Sequence, residues 1–304
     1  MGWLWTTSKE VVDGHGIVRW WRRARFLLEA GRYAPAIKPF INADPRSAFG
    51  RYIRERPETV GAVLWPYQCV AWGPSARLAR IRDHYQIVES HAPYLDFAIE
   101  QQLLLADLHE VKSGLRVFVD QPVWFVREGQ LAINLVVGKE RVYTLAFSFF
   151  REGSQIGAFV GAIQGRDIEG IMDCYRELTK AANGLRPRDL LMEMFRFFCA
   201  EVGVVRILAV TDQSRHHRDT RYFGAQAAEK HFSSNYDRIW EERGGMRVNA
   251  MWYDIPMTLS QREPADIPAK KRGMYRRRMQ MLENIHAQIR EGLSRCLLMR
   301  DQID

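Results

Sequence analysis

From residue 115 the apolar residues recur every second position, and they keep that period for about fifty residues. Few patterns constrain a fold more tightly, because alternation at period two is the mark of strands with one face buried. Leu115–Val119, Val123–Arg127, Leu131–Val137, Val142–Phe150 and Ile156–Gln164 read as five strands. The breaks between them are short. Glu128-Gly-Gln130, Gly138-Lys-Glu140 and Arg151-Glu-Gly-Ser154 have the Gly-containing turns that join neighbouring antiparallel strands. An antiparallel meander is therefore expected.

Helical patterns surround it. A basic, aromatic stretch runs to about Ala30, and Pro35, Pro39 and Pro45 then break the chain. Leu78, Ile81, Tyr85 and Val88 mark a helix over 75–90, and Leu95, Ile99, Leu103 and Leu104 mark another after Pro93. Asp167–Ala182 reads as a helix that stops at Asn183-Gly184. Arg186-Pro-Arg-Asp-Leu190 opens the next, with proline at a first helical position where its missing N–H costs nothing. Val204–Val210 is a buried-type strand and Val248–Tyr253 a further strand. Residues 211–245 are polar and 254–268 loop-like, and 269–298 form one long helix. The fold class is α+β, a mostly antiparallel central sheet flanked by helices. Residues 1–110 read as a mostly helical region packed on the core and 111–304 as the sheet-containing domain. No linker forces a cut between them.

The 304 residues carry 47% hydrophobic and 26% charged side chains, which excludes a disordered or low-complexity chain. No apolar run approaches the ~20 residues that span a bilayer. The start of the chain lacks the basic and apolar regions of a signal peptide. Gly2 with Thr6 meets the minimal myristoylation pattern, which is short enough to arise by chance. Four scattered cysteines form neither a disulfide framework nor a zinc ribbon. A reduced, cytoplasmic protein is expected, with peripheral contact to the inner membrane as a further expectation. The net charge of +8 points to an anionic ligand.

Several stretches resemble the VirK/YbjX-type family of bacterial proteins. They are Pro66-Tyr67, Trp72, His84-Tyr85, Arg127–Gln130 through Tyr143–Phe149, Gly161–Gly165 with Gly184–Leu190, Ile207–Asp212, and Ile267–Arg278. The resemblance spans about residues 45–298. It implies an association with envelope remodelling, virulence and resistance to antimicrobial peptides, and implies no particular reaction. The second half is also similar to the acyl-donor half of GCN5-type acetyltransferases, where a strand, a basic turn, a helix and a strand follow one another. That likeness implies a donor site at a helix N-terminus, bordered here by Gln164, Arg186 and Arg188. Where that family has glycines this chain has Arg186-Pro-Arg-Asp-Leu-Leu, which hinders close approach of a pyrophosphate. An aminoacyl-tRNA donor suits the basic surplus better than a coenzyme A thioester.

Four further clusters bear on chemistry. Thr211–Tyr222 follows a buried strand, the usual place for a site, and offers Asp212, His216 and Tyr222 as acid–base groups, with Ser214 and His217 beside them. Its two histidines lack H-x-x-x-H spacing, so no metal site is expected. Lys270, Lys271, Arg272 and Arg276 open the last helix, where cations oppose the helix dipole unless an anion lies near. Such an anion would be tRNA or another phosphate-bearing donor. Arg19–Arg25 with Trp20, Trp21 and Phe26 reads either as a basic, aromatic helix lying on an anionic membrane or as a helix docked on the core, the second favoured because adjacent tryptophans cannot share one face fully. Asp237 and Glu241 are candidates for positioning a substrate amine. The expected activity is acyl or aminoacyl transfer. The alternative is a non-catalytic regulator or binding module at the cytoplasmic membrane face or on RNA.

Overall fold

The computed structural model describes residues 2–12, 14–99, 101–121, 124–228, 235–258 and 267–300, the last four by backbone alone. Eight strands form one sheet in the order β1-β2-β3-β4-β5-β6-β8-β7. They are β1 (Gln102–Asp107), β2 (Leu115–Asp120), β3 (Leu131–Val137), β4 (Glu140–Glu152), β5 (Gln155–Gly165), β6 (Arg206–Val210), β7 (Met246–Arg247) and β8 (Trp252–Ile255). All neighbours are antiparallel except β5 and β6, which are parallel. The α+β class and the meander stand.

Two parts of the meander differ from expectation. Of the expected strand Val123–Arg127, Val123 lies outside the described residues and Trp124–Arg127 is not a strand: the backbone turns there, with the Glu128 and Gly129 N–H groups donating to Phe125 O at 2.9 and 3.1 Å. Gly129 is required there, since a Cβ would overlap the backbone of Phe147. The fifth meander strand is instead β1, where a helix was expected through Leu103 and Leu104. A short apolar run is ambiguous by periodicity, and pairing of Leu103 with Val119 and Leu104 with Phe118 decides it. Because β1 precedes residue 111, the sheet draws on both regions that the pattern separates.

The helices before the sheet are α1 (Gly2–Val11), α2 (Gly16–Arg32), α3 (Ala34–Ile41), α4 (Ala48–Glu55) and α5 (Pro74–His91). α5 packs on β4, where His84 Nδ1 accepts the Phe149 N–H at 3.0 Å and its ring stacks on Phe149. α6 (Ile171–Ala181) and α7 (Pro187–Val202) make the crossover from β5 to β6. Phe195 and Phe198 of α7 bury against Phe147 of β4, with ring centroids 4.9 and 5.6 Å apart. A buried Glu193–Arg196 pair (2.6 Å) lies on the same helix, and Arg196 also donates to Pro256 O and Arg243 O. α11 (Ala269–Arg300) lies on β1 and α7, and Gly292 lets it approach the Leu105 backbone.

The polar segment after β6 is more structured than its composition suggests. It holds two single 3-10 turns (Asp212–Ser214 and His216–Arg218), then α8 (Thr220–Phe223), α9 (Ala225–Ala228) and α10 (Tyr236–Glu242). Helix α2 docks as expected, but through Phe26 and Ala30; Trp20 and Trp21 face outward. No helix among the described residues is long and apolar enough to cross a membrane.

Candidate functional site

β5 and β6 pair over only four positions, from Gly157 with Arg206 to Val160 with Ala209. Beyond them β5 runs on to Gly165 while β6 ends at Val210. The strands' free ends are met by α10: the Tyr236 hydroxyl accepts the Ile163 N–H at 3.1 Å, and Trp240 Nε1 donates to Val210 O at 2.8 Å. This is the carboxyl end of a parallel pair, where crossover folds leave room for a site.

Two loops converge there. The turn before β3 lays Glu128 across Gly161, whose missing side chain makes room for the Glu128 carbonyl. Gln68 Nε2 donates to that carbonyl at 2.9 Å and to Phe159 O at 3.2 Å. The loop after β6 is tied down by Thr211 Oγ1 and Ser214 Oγ, which donate to Ala250 O at 2.8 and 3.1 Å. It brings His216 and His217 together, ring centroids 3.7 Å apart. Glu128 Oε1 then lies 3.5 Å from His216 Nε2 and 4.0 Å from His217 Nε2.

Burial sets the charge of this cluster. Loss of water raises the Glu128 carboxyl to about 8, against the pull of Arg127 and Arg215. Burial, aided by Arg215 and Arg127, lowers His217 to about 4. Burial and then His217 hold His216 well below the usual imidazole range. At neutral pH the three are a protonated carboxylic acid beside two neutral imidazoles. Arg127 flanks them, its guanidinium over the rings of Trp65, Tyr222 and Phe223, with one nitrogen donating to the Tyr222 hydroxyl at 2.9 Å. Ligand atoms of Glu128, His216 and His217 also lie within 4.8 Å of one another, near enough for one divalent cation to bridge. No metal site was expected because the His pair lacks ligand spacing by itself; the third ligand comes from 88 residues earlier in the chain.

The expected residues fall in several places. His216 is in the cluster and Tyr222 at its mouth. Asp212 is not in it. Its Oδ1 accepts the Tyr236 N–H at 3.2 Å and pairs with Arg215, while Oδ2 pairs with Arg218 at 3.0 Å. Burial alone would raise its pKa, but those donors outweigh burial and hold it below the usual carboxylate range. Asp212 is an anchor for the loop. Asp237 accepts the Asp212 N–H at 2.8 Å and pairs with Arg247, and Glu241 accepts the Tyr253 hydroxyl at 3.0 Å. Gln164 sits half-buried near the end of β5, beside the Tyr236 hydroxyl.

Arg186 and Arg188 do flank the start of α7, but their anions are internal. Arg186 bonds Asp189 at 2.7 Å and Glu242 at 2.6 Å, and Arg188 bonds Glu242 at 2.6 Å. Hydrogen bonding from Arg186 first, with Arg238 and Arg188, drops Glu242 to about 2. The two cations at that helix end therefore need no outside phosphate. Lys270, Lys271, Arg272 and Arg276 are exposed on the first turns of α11, and Arg272 Nε donates to Ile267 O.

Sequence reasoning missed Glu128, Arg127 and an arginine-rich cleft of about 620 Å³ beside Tyr222. Arg25 and Arg32 of α2, Arg77 of α5, and Arg218 and Arg221 line that cleft, opposed by Glu29 and Asp219. Glu128 and Arg127 stand in the Arg127–Gln130 stretch that carries part of the family resemblance, but nothing local marks their partners.

Residues 16–291 match the family described as "Protein of unknown function (DUF535)". The chain is 34% identical to the "Uncharacterized protein YbjX" of Escherichia coli K12 over 131 residues, 43% of this chain and 39% of that protein. It is 29% identical to an uncharacterized protein of Haemophilus influenzae over 154 residues, 51% and 48% of the two chains. To the "Membrane protein LapB" of Mannheimia haemolytica it is 24% identical over 195 residues, 62% and 82% of the two. The match thus spans less than half the length of the first two relatives. No solved structure matches. With nine-tenths of its length matched, and the YbjX likeness agreeing with the motifs above, the chain belongs to the DUF535 family.

Proposed function

We propose that the chain is an acyl- or aminoacyl-group transferase of GCN5-like design. One observation carries the reading: an acid–base cluster of Glu128, His216 and His217 stands where the parallel β5/β6 pair parts. The basic turn Arg186-Pro-Arg188, α7 and β6 follow one another as the GCN5 likeness implies and support the same reading, although α6 stands between β5 and that turn.

The chemistry follows from the protonation states. An acceptor amine or hydroxyl X–H attacks the carbonyl carbon of R–CO–Y. The new bond is C–X, and the bond that breaks is C–Y. The X–H proton passes to the neutral, partly exposed imidazole of His217. The proton that leaves on Y–H comes from the Glu128 carboxyl, and transfer from His217 back to Glu128 restores the cluster. Arg127 and Tyr222 border the approach.

Aminoacyl-tRNA is the favoured donor over a coenzyme A thioester. Asp189 and Glu242 already fill the α7 N-terminus, while Lys270, Lys271, Arg272 and Arg276 offer exposed cations to an RNA backbone. The test is transfer of a labelled aminoacyl group from tRNA to small amines and alcohols, with acetyl coenzyme A as the competing donor. His217→Ala and Glu128→Gln, folded by circular dichroism, should each lose at least about a hundredfold in rate. Full activity in both variants overturns the assignment. Binding of tRNA without turnover by the wild-type chain favours a non-catalytic module instead.

A further inference from the structure

Helix α2 carries an apolar side that none of the described chain covers. Phe26 and Ala30 face the core, whereas Ile17, Trp20, Trp21 and Leu28 are 74%, 59%, 65% and 73% exposed. At 3.6 residues per turn these four fall on one stripe opposite Phe26. A single exposed apolar residue is ordinary, but a continuous stripe with two tryptophans is a mark of a contact surface. Positive charge borders the stripe. Arg25 stands one turn from both Trp21 and Leu28, and it also lines the arginine cleft.

Two independent features make that cleft suited to an anion. The first is the N-terminus of α5, an 18-residue helix. Its cap residue Gly73 provides no side-chain acceptor, and Gly73 and Pro74 both line the cleft. The second is Arg77, also in the lining and only 7% exposed. Its NH1 donates to Trp65 O at 2.8 Å and its NH2 lies 3.6 Å from Asp219, but its Nε is buried with no hydrogen-bond partner. A buried guanidinium N–H left unpaired is costly until an acceptor arrives.

We infer that α2 seats the chain on an anionic lipid surface, its Trp20–Trp21 stripe at the headgroup–acyl boundary and a headgroup phosphate in the arginine cleft. Tryptophan suits that boundary because its ring is apolar and its N–H polar. Charge complementarity selects this occupant: Arg25, Arg32, Arg77, Arg218 and Arg221 line the cleft against only Glu29 and Asp219, a surplus that suits an anionic surface. With polar residues on its other sides and only 17 residues, α2 lies along a membrane and does not cross it. The docking does not depend on the transferase reading. Where it meets that reading, it names the acceptor class, since Tyr222 both lines the cleft and accepts from Arg127.

The test is co-sedimentation of the full chain with phosphatidylglycerol–phosphatidylcholine vesicles and with phosphatidylcholine alone. Wild type should bind the anionic vesicles, weaken as salt rises, shift its tryptophan emission to the blue, and leave the neutral vesicles unbound. W21E/L28E should lower the partition coefficient roughly tenfold or more. R25A and R32A should each lower it about fivefold. All four positions lie on the helix surface or the cleft rim, and matching thermal melts would show that the fold is kept. Three results overturn the inference: no binding to anionic vesicles, equal binding to both kinds, or unchanged binding by W21E/L28E. A dimer that W21E/L28E dissolves would make a second copy the occupant and overturn it too. Glu128→Gln separates the two proposals, because it should bind vesicles as wild type does while losing transfer.

Discussion

Replacing Glu128 with glutamine tests the electrostatic state of the cluster without relying on any substrate. Glutamine copies the shape of the protonated carboxyl and cannot ionise. In the wild type the folded-state pKa is about 8 and the ordinary value 4.5. The folded carboxyl therefore keeps its proton over a range in which the unfolded chain has lost it. The sign follows from linkage: this group's contribution to stability is whole below pH 4.5 and is lost as pH rises through 8. Each unit of displacement is worth about 1.36 kcal/mol, so between pH 5 and pH 9 the wild type should lose about 4 kcal/mol that the variant does not. An unfolding entropy of roughly 2.1 cal/mol/K per residue over 304 residues converts this to about 6 °C in Tm. His217, lowered from 6.5 to about 4, adds a pH dependence between those values that both proteins share, so it cancels from the comparison. Thermal melts of both proteins at pH 5, 7 and 9 measure the difference directly. The two should nearly coincide at pH 5, with the variant melting about 6 °C higher relative to wild type at pH 9. Parallel curves would mean that the carboxyl is ionised at neutral pH, and the neutral-acid mechanism would fall with that result.

Other predictions concern the surroundings of the cluster. Gly161→Ala drives a methyl into the Glu128 carbonyl, so a loss of about 1–3 kcal/mol in a denaturant titration should accompany a drop in transfer rate. Arg186→Ala with Arg188→Ala leaves Asp189 with Arg243 and Glu242 with Arg238 as their remaining cations, which should lower Tm while leaving affinity for aminoacyl-tRNA unchanged in a filter-binding assay; a large loss of tRNA affinity would return the donor site to the α7 terminus. Transfer should survive dialysis against EDTA if the cluster acts through protons, whereas loss that zinc restores would make Glu128, His216 and His217 metal ligands.

Much of the frame is legible in the residues, because local pattern determines it. β2 to β5, α5, α7 and the long final helix each show the period of their own structure. β1 is different. Gln102–Asp107 holds three leucines in a row, an arrangement that either period tolerates, and only the long-range pairing with β2 makes it a strand. The site is less legible for the same reason. His216 can be read as a candidate from its place after a buried strand, but the carboxyl that sets its chemistry lies in a turn on the far side of the meander. Arg186 and Arg188 mislead in the opposite way. Two cations at a helix start signal a missing anion, and Glu242, more than fifty residues later, supplies it. Lone charges in a sequence cannot show which opposite charges the fold will bring to them.

The four-residue join between β5 and β6 has a consequence for how the protein comes into being. Everything up to β5 can pair along a continuous meander as it leaves the ribosome, with Glu128 already in its turn. The imidazoles arrive only after α6, α7 and β6 have been made, and α10 must follow to occupy the gap with Tyr236 and Trp240. A nascent or truncated chain that stops before residue 216 therefore has a nearly complete sheet and lacks the Glu128–His216–His217 cluster. Glu128 and the two histidines meet across a seam between early and late parts of the chain, so the order of synthesis delays assembly of the cluster until most of the chain has been made.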